Sequence, residues 1–395
     1  MGDDSLAFPF IEKGIYIMNC RDLDSLIRGK KINFLIGAGA SVPMYPSLSL
    51  GEDMPTFEEI VSHKHITEET KRFLYVYYFK KWIDMMGERK EDFLRRTETS
   101  DVFTNYRRLI QWMYDFLQCE SNESPKRINI FTTNYDLIFE RVFDEFLYEN
   151  PLIFFNDGSR GFFEKYISNR NFYLNITHSG YNDNYRREVP TINLFKLHGS
   201  VSWNLKQNKI IVDEQNSIIN EIRERAEALS LEVSEIEKII STDRCISFNL
   251  SDFVENLNES VHELDLDNNK LKDFFEAYSE LPIINPDKFK FFKSVSEQHY
   301  YQLIRSFSYE LEQKQSVLIV FGFSFADEHI RDIFERSLLN PELEVILITY
   351  SRESQSQLKK YFTGYKNIMF LPENPDSISG NFEYLLRLLG DGYDS

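Results

Sequence analysis

Six short apolar runs punctuate the chain: Ile32–Ile36, Ile128–Thr132, Ile192–Leu197, Val317–Phe321, Glu344–Thr349 and Asn367–Leu371. The first four lack polar alternation and end in turn chemistry, as strands covered on both faces do. Helical patterns separate most of the six. The pattern predicts an α/β fold, a Rossmann-like, doubly wound, mainly parallel sheet. Two long stretches interrupt that rhythm. Between Pro55 and Gln118, Phe73, Leu74, Tyr77, Tyr78 and Trp82 mark a helix over Thr67–Met86, and a second covers Val102–Leu117. From Gln207 to Pro286, Ile219, Ile222, Ala226, Leu229, Val233, Ile236 and Ile240 fall three or four apart among charges. A helix on the protein's own core is the plainer explanation; an arm that docks a partner or a second copy is the other. The acidic segment Glu255–Asn269 is expected to be a mobile loop. Residues 1–50, 126–206 and 300–395 are thus expected to form the core, with 51–125 and 207–299 as helical insertions making a smaller helical module.

Composition narrows the class. With 395 residues, 42% hydrophobic and 15% aromatic, the chain is expected to fold rather than stay disordered. Its formal net charge of −18 disfavours a surface that grips phosphate backbones, so no direct nucleic-acid binding is expected. Cys20, Cys119 and Cys245 stand far apart without a CxxC pair, which gives no zinc ribbon and no disulfide framework. His63 and His65 are two apart on an expected helix and make a poor metal pair, so no metal is predicted. Met1–Phe10 lacks the basic start and apolar stretch of a signal peptide, and Leu6 stands where a myristoylation site needs Ser or Thr. No apolar run reaches the length of a membrane span. A soluble, cytoplasmic protein is expected.

The chemistry lies where the strands end. Four of them run into polar clusters: Gly37-Ala38-Gly39-Ala40-Ser41, Thr133-Asn134-Tyr135-Asp136, His198-Gly199-Ser200 and Gly322-Phe323-Ser324. In open parallel sheets ligands bind beyond the carboxyl ends of the strands, so four clusters there converge on one site. Gly37 and Gly39 allow a tight turn and a close approach of backbone amides to a pyrophosphate; a simple strand–helix turn is the alternative. Asn134 offers donor and acceptor to a ribose hydroxyl or a water. Asp136 either accepts from a ribose hydroxyl or caps the following helix. His198 is the strand-end histidine, and Gly199 beside it would let a substrate approach the imidazole, which suits a general base. Ser324 can hold a ribose or phosphate, or Ser324 or Asp327 can cap the helix that follows.

In this order the four clusters resemble the sirtuin-like superfamily: Gly37–Ser41 its GAGxS turn, Thr133–Asp136 its TxNxD, Lys196–Ser200 its LHG, and Gly322–Ser324 its GxS loop. The resemblance covers roughly Asn33–Ser200 and Val317–Leu338. It implies that NAD is the substrate, with Gly37, Ala38, Gly39, Ser41 and Thr133 in contact with it. Asn134 and Asp136 would frame the nicotinamide ribose, His198 would be the base, and Gly322 and Ser324 would hold the adenosine side. Three scattered cysteines cannot supply the four-cysteine zinc module of protein-deacylating sirtuins, and Val42-Pro43-Met44-Tyr45-Pro46 replaces their Pro-Asp-Phe-Arg stretch. The chain is more similar to the zinc-free branch of bacterial anti-phage systems. That likeness implies an abortive-infection NAD hydrolase giving nicotinamide and ADP-ribose, a homo-oligomer, and a hexameric translocase-type ATPase or other defence-system partner. An NAD-dependent deacylase, a non-catalytic NAD or ADP-ribose sensor and a nuclease are the rival readings.

Overall fold

The apolar runs are strands of one sheet. In the computed structural model, which describes residues 20–46, 54–88, 93, 95, 100–121, 123–247, 249–285 and 294–390, seven strands lie side by side. They are β1 (Lys31–Ile36), β2 (Arg127–Thr132), β3 (Phe154–Asn156), β4 (Thr191–Lys196), β5 (Ser316–Phe321), β6 (Leu343–Ile348) and β7 (Ile368–Leu371). The order is β7-β6-β5-β1-β2-β4-β3, and every pairing is parallel. The fold is α/β, Rossmann-like and doubly wound. All six expected strands are present. The short edge strand β3 was not expected, because three residues carry no periodic signal.

The chain fills the β2, β4 and β3 side of β1 before crossing to β5, β6 and β7. The sheet therefore has its topological switch point between β1 and β5, where an open α/β sheet leaves a crevice. Both faces are covered. Ile32, Phe34 and Ile36 share one apolar cluster with Leu109, Val142 and Leu385 from the helices Asp101–Cys119, Ile138–Glu149 and Phe382–Leu389. Leu35, Phe131 and Phe195 point the other way, into a second cluster with the helices Ser294–Leu311, Glu328–Ser337 and Arg352–Tyr361.

A line of amides crosses the second face. Asn33, Asn129, Asn193 and Asn156 stand in register on β1, β2, β4 and β3. Asn129 donates to Asn33 Oδ1 (2.9 Å), Asn193 to Asn129 Oδ1 (2.8 Å) and Asn156 to Asn193 Oδ1 (2.9 Å). Asn33 donates to Ser316 Oγ (3.0 Å) and the Gly158 amide closes the row on Asn156 Oδ1 (3.1 Å).

The helical insertions pack on each other. The helix expected over Thr67–Met86 runs as Glu68–Tyr78, capped by Thr67, then a π-helical turn at Phe79–Ile83 and a last turn at Asp84–Met86. The stripe from Ile219 to Ile240 belongs to two helices, Ser217–Glu227 and Val233–Ile246, and its isoleucines are buried in the protein's own core. Glu255–Asn269 is not a mobile loop. It lies in the helix Leu250–Glu263, a short turn and the start of the helix Asn268–Tyr278. Phe253, Val254, Leu257 and Val261 form a fully buried helical stripe there, and a window opening at Glu255 misses its first half. The sequence also gave no sign of a small antiparallel sheet of Ser159–Arg160, Lys165–Ile167, Lys209–Val212 and Trp203–Lys206. No helix among the described residues is long and apolar enough to cross a membrane.

Candidate active site

All four polar clusters lie at the carboxyl edge of the sheet, and their loops hold one another. Gly37 donates its amide to Phe321 O (3.0 Å) and Gly39 to Gly322 O (2.9 Å). A side chain on Gly37 would meet Gly322 O at 2.4 Å, and one on Gly322 would meet the Ala40 nitrogen at the same distance. Gly322 also has φ +66°, which disfavours any side chain. These glycines thus let the loops after β1 and β5 interlock, and the amides of Gly37 and Gly39 serve that contact. Ala38–Ser41 forms a single 3₁₀ turn, after which Val42 is extended, as Pro43 and Pro46 suggest.

Ser41 is the hub of the second contact. Its Oγ donates to Asp136 Oδ2 (2.9 Å) and accepts from Asn134 Nδ2 (3.1 Å). Since its one proton goes to Asp136, the 3.0 Å contact with Tyr106 must be donated by the phenol. Burial, and then the Asp136 charge, push the Tyr106 pKa well above its ordinary value, which keeps the phenol a donor. Asp136 uses its other oxygen to accept from the Ile138 amide (3.1 Å) at the start of the helix Ile138–Glu149, so it serves helix and site together. Asn134 and Asp136, two apart, do converge on one point. The Thr133 amide continues the strand pairing by donating to Ile36 O (3.4 Å).

One atom of this network is left over. Asn134 Nδ2 also donates to Gly37 O (3.1 Å), which fixes the orientation of the carboxamide, because a carbonyl cannot be met by another carbonyl. Asn134 Oδ1 is then buried with no hydrogen-bond partner among the described residues. Lys196, itself buried, holds the loop from below through the Asn134 carbonyl (3.5 Å), the Asp136 carbonyl and the Glu140 carboxylate (3.2 Å). Burial raises the Glu140 pKa above its ordinary value, with Lys196 opposing.

His198 follows β4, and its Nε2 lies 3.0 Å from Asp327 Oδ2. Asp327 Oδ1 accepts from the amides of His329 (2.9 Å) and Ile330 (3.1 Å), so Asp327 is the N-cap of the helix Glu328–Ser337. Ser324 is exposed and only meets the Ala326 amide at 3.4 Å. To reach His198, the loop after β5 crosses the ends of β1 and β2. It turns at Phe325, whose backbone is left-handed (φ +57°) and whose ring is fully buried against Phe334 and Phe362. Gly199 has a different use from the one expected. It has φ +88°, and a side chain there would meet Pro282 O at 2.1 Å, so its bare Cα accommodates the protein's own backbone.

A cleft of about 580 Å³ opens at the switch point. Gly39, Gly322 and Ser324 line it, with Thr349, Tyr350 and Asn381 from beyond β6 and β7. Asn134, Asp136 and His198 do not line it; they belong to the β2 and β4 side of the Gly37–Ser41 loop. Among the described residues no group of three or more His, Cys, Asp or Glu is placed to hold a metal ion. Sequence reasoning missed Tyr106, which lies in an inserted helix, and the pairing of Asp327 with His198, which only the crossing loop brings about.

No family model matches this chain, and no curated protein matches it either.

Proposed function

We propose that the chain is an NAD hydrolase that cleaves the nicotinamide–ribose bond. The observation that carries this reading is the Asn134 carboxamide, clamped through its nitrogen and buried at its oxygen without a donor. Leaving such an acceptor unpaired costs about 1–3 kcal/mol, and a ribose hydroxyl or a water would supply the missing donor.

The chemistry asks for few groups. Nicotinamide leaves as a neutral molecule with the bonding pair of its C–N bond, and the ribose passes through an oxocarbenium-like state. A water oxygen then joins the ribose carbon, and its proton must go to a base. With Nε2–H directed at Asp327, a neutral His198 would offer the Nδ1 lone pair to that proton. Asn134 Oδ1 would hold the water or the ribose hydroxyl. Gly39, Gly322 and Ser324 would receive the adenosine half in the cleft, whose volume suits part of a dinucleotide. The products are nicotinamide and ADP-ribose. The sirtuin-like motif order supports the same reading. A role in anti-phage defence, as a homo-oligomer or beside a hexameric translocase-type ATPase, rests on that resemblance.

The test mixes the purified chain with NAD, with and without the product of the neighbouring gene, and follows nicotinamide release. His198→Ala and Asn134→Ala should each lower turnover by roughly 10²–10⁴-fold, with unchanged circular dichroism. Tight NAD binding with no nicotinamide released under either condition would replace this reading with that of a sensor.

A further inference from the structure

The amino edge of the sheet, opposite the site above, carries a groove whose charge runs against that of the chain. Two adjoining clefts of about 450 and 320 Å³ meet at Tyr173 and Tyr309. Arg170 and Arg305 line the first cleft, and Lys31 and Arg127 the second. With 63 acidic residues against 45 basic ones, a cation of this chain has carboxylates in plenty. Among the described residues none of these four forms a close ion pair, although the Glu310 carboxylate acts on Lys31 and Arg127 at longer range. Lys31 reaches the Gln313 carboxamide (2.8 Å) and Arg127 the Leu174 carbonyl (3.1 Å), both neutral acceptors. Arg170 and Arg305 have no hydrogen-bond or ion-pair partner among the described residues. The acids lining the groove are Glu188 and Glu310, so it stays net positive, with Lys126 adding an ammonium held by backbone carbonyls.

The walls are built rather than incidental. Gln302, Arg305, Ser306 and Tyr309 fall three or four apart on one face of the helix Ser294–Leu311. Opposite them, the 3₁₀ turn Asn169–Tyr173 is tied across by Asn169 Nδ2 to Gln302 Oε1 (3.0 Å) and by the Tyr173 hydroxyl to Ser306 (3.3 Å). Tyr173 and Tyr309 are half exposed, at 50% and 54%.

We infer that this groove binds a phosphate-rich anion of nucleotide size. Guanidinium forks match phosphate oxygens in pairs, and tyrosine faces offer a platform for a base. The inference does not depend on NAD hydrolysis, and its readout is binding alone.

The experiment titrates the whole chain calorimetrically with inorganic tripolyphosphate and with ATP at physiological salt. Both should bind, ATP more tightly. The double substitution Arg170→Ala, Arg305→Ala should weaken each by tenfold or more, and Tyr309→Ala should weaken ATP alone. The inference is overturned if neither probe binds, or if the double variant binds both as the parent does. Binding of a long single-stranded oligonucleotide without binding of either small probe would also overturn it, in favour of a nucleic-acid surface.

Discussion

Asp327 divides its two oxygens between a helix and an imidazole. Asparagine caps helices about as well as aspartate, so Asp327→Asn should keep the helix Glu328–Ser337 while placing an amide against His198. Under the proposed function, nicotinamide release should fall at least about tenfold with little change in melting temperature. Asp327→Ala should match that loss and cost about 1 kcal/mol of stability as well. Activity and thermal melts on the same samples separate the two effects. His299 tells a different story at the same scale. It is buried edge-on to Trp203 and Tyr300, its Nε2 has no partner among the described residues, and burial lowers its pKa from 6.5 to about 4. The folded state therefore binds this proton more weakly than the unfolded one, and stability is lost as pH falls from the unfolded pKa towards the folded one. Between pH 7 and pH 5 the loss from this group should be about 2 kcal/mol. His299→Leu should flatten that part of the stability–pH curve, which urea melts at the two pH values would read. Of these residues, the sequence marked His198 by its place after an apolar run. Asp327 showed only its capping role, because nothing local announces a partner brought in from another strand.

Among the elements, the amide row is the feature most open to test. Asn129→Leu would strand the Asn33 oxygen and leave the Asn193 amide only its bond to Phe172 O (3.4 Å) in a buried layer, and should cost about 2–4 kcal/mol, measured as a shift in urea midpoint. Six of the seven strands were legible, since each is a short, mainly apolar run, and four of them end at a polar cluster. The repeated Ile-Asn of β1, β2 and β4 was equally visible, yet an asparagine in a strand acquires meaning only once the register sets it opposite another. The polar clusters were readable as a group for the same reason that made the sheet readable: they follow strands. How they use their atoms was not readable. The glycines of the Gly37–Ser41 and Gly322–Ser324 loops face each other, and Ser41 spends its full hydrogen-bonding capacity on Tyr106, Asn134 and Asp136. Such contacts arise between loops and have no period. The small antiparallel sheet was hidden because strands of two to four residues show no alternation long enough to detect.

At the scale of the whole molecule, one apolar cluster runs without a break from Phe34 and Val317 of the sheet to Phe73, Val254 and Phe274 of the inserted helices. Sheet and helical module should therefore unfold together. Phe274→Ala removes a fully buried ring beside Phe79 and should cost about 3–5 kcal/mol. Tryptophan fluorescence, which reports Trp82 among the inserted helices, Trp112 against Phe34 of β1 and Trp203 of the small antiparallel sheet, should shift with far-ultraviolet circular dichroism in one transition. Two separated transitions would show that the module melts alone. The path of the loop after β5 sets the order in which the parts of the site are made and meet. A nascent chain carries the Gly37 loop, Asn134 and His198 long before it carries Asp327, and β5 must slot in beside β1 before that carboxylate reaches the imidazole. Under the proposed function, a chain that stops short of residue 327 lacks the carboxylate partner of His198, and its nicotinamide release should be lowered as in Asp327→Ala.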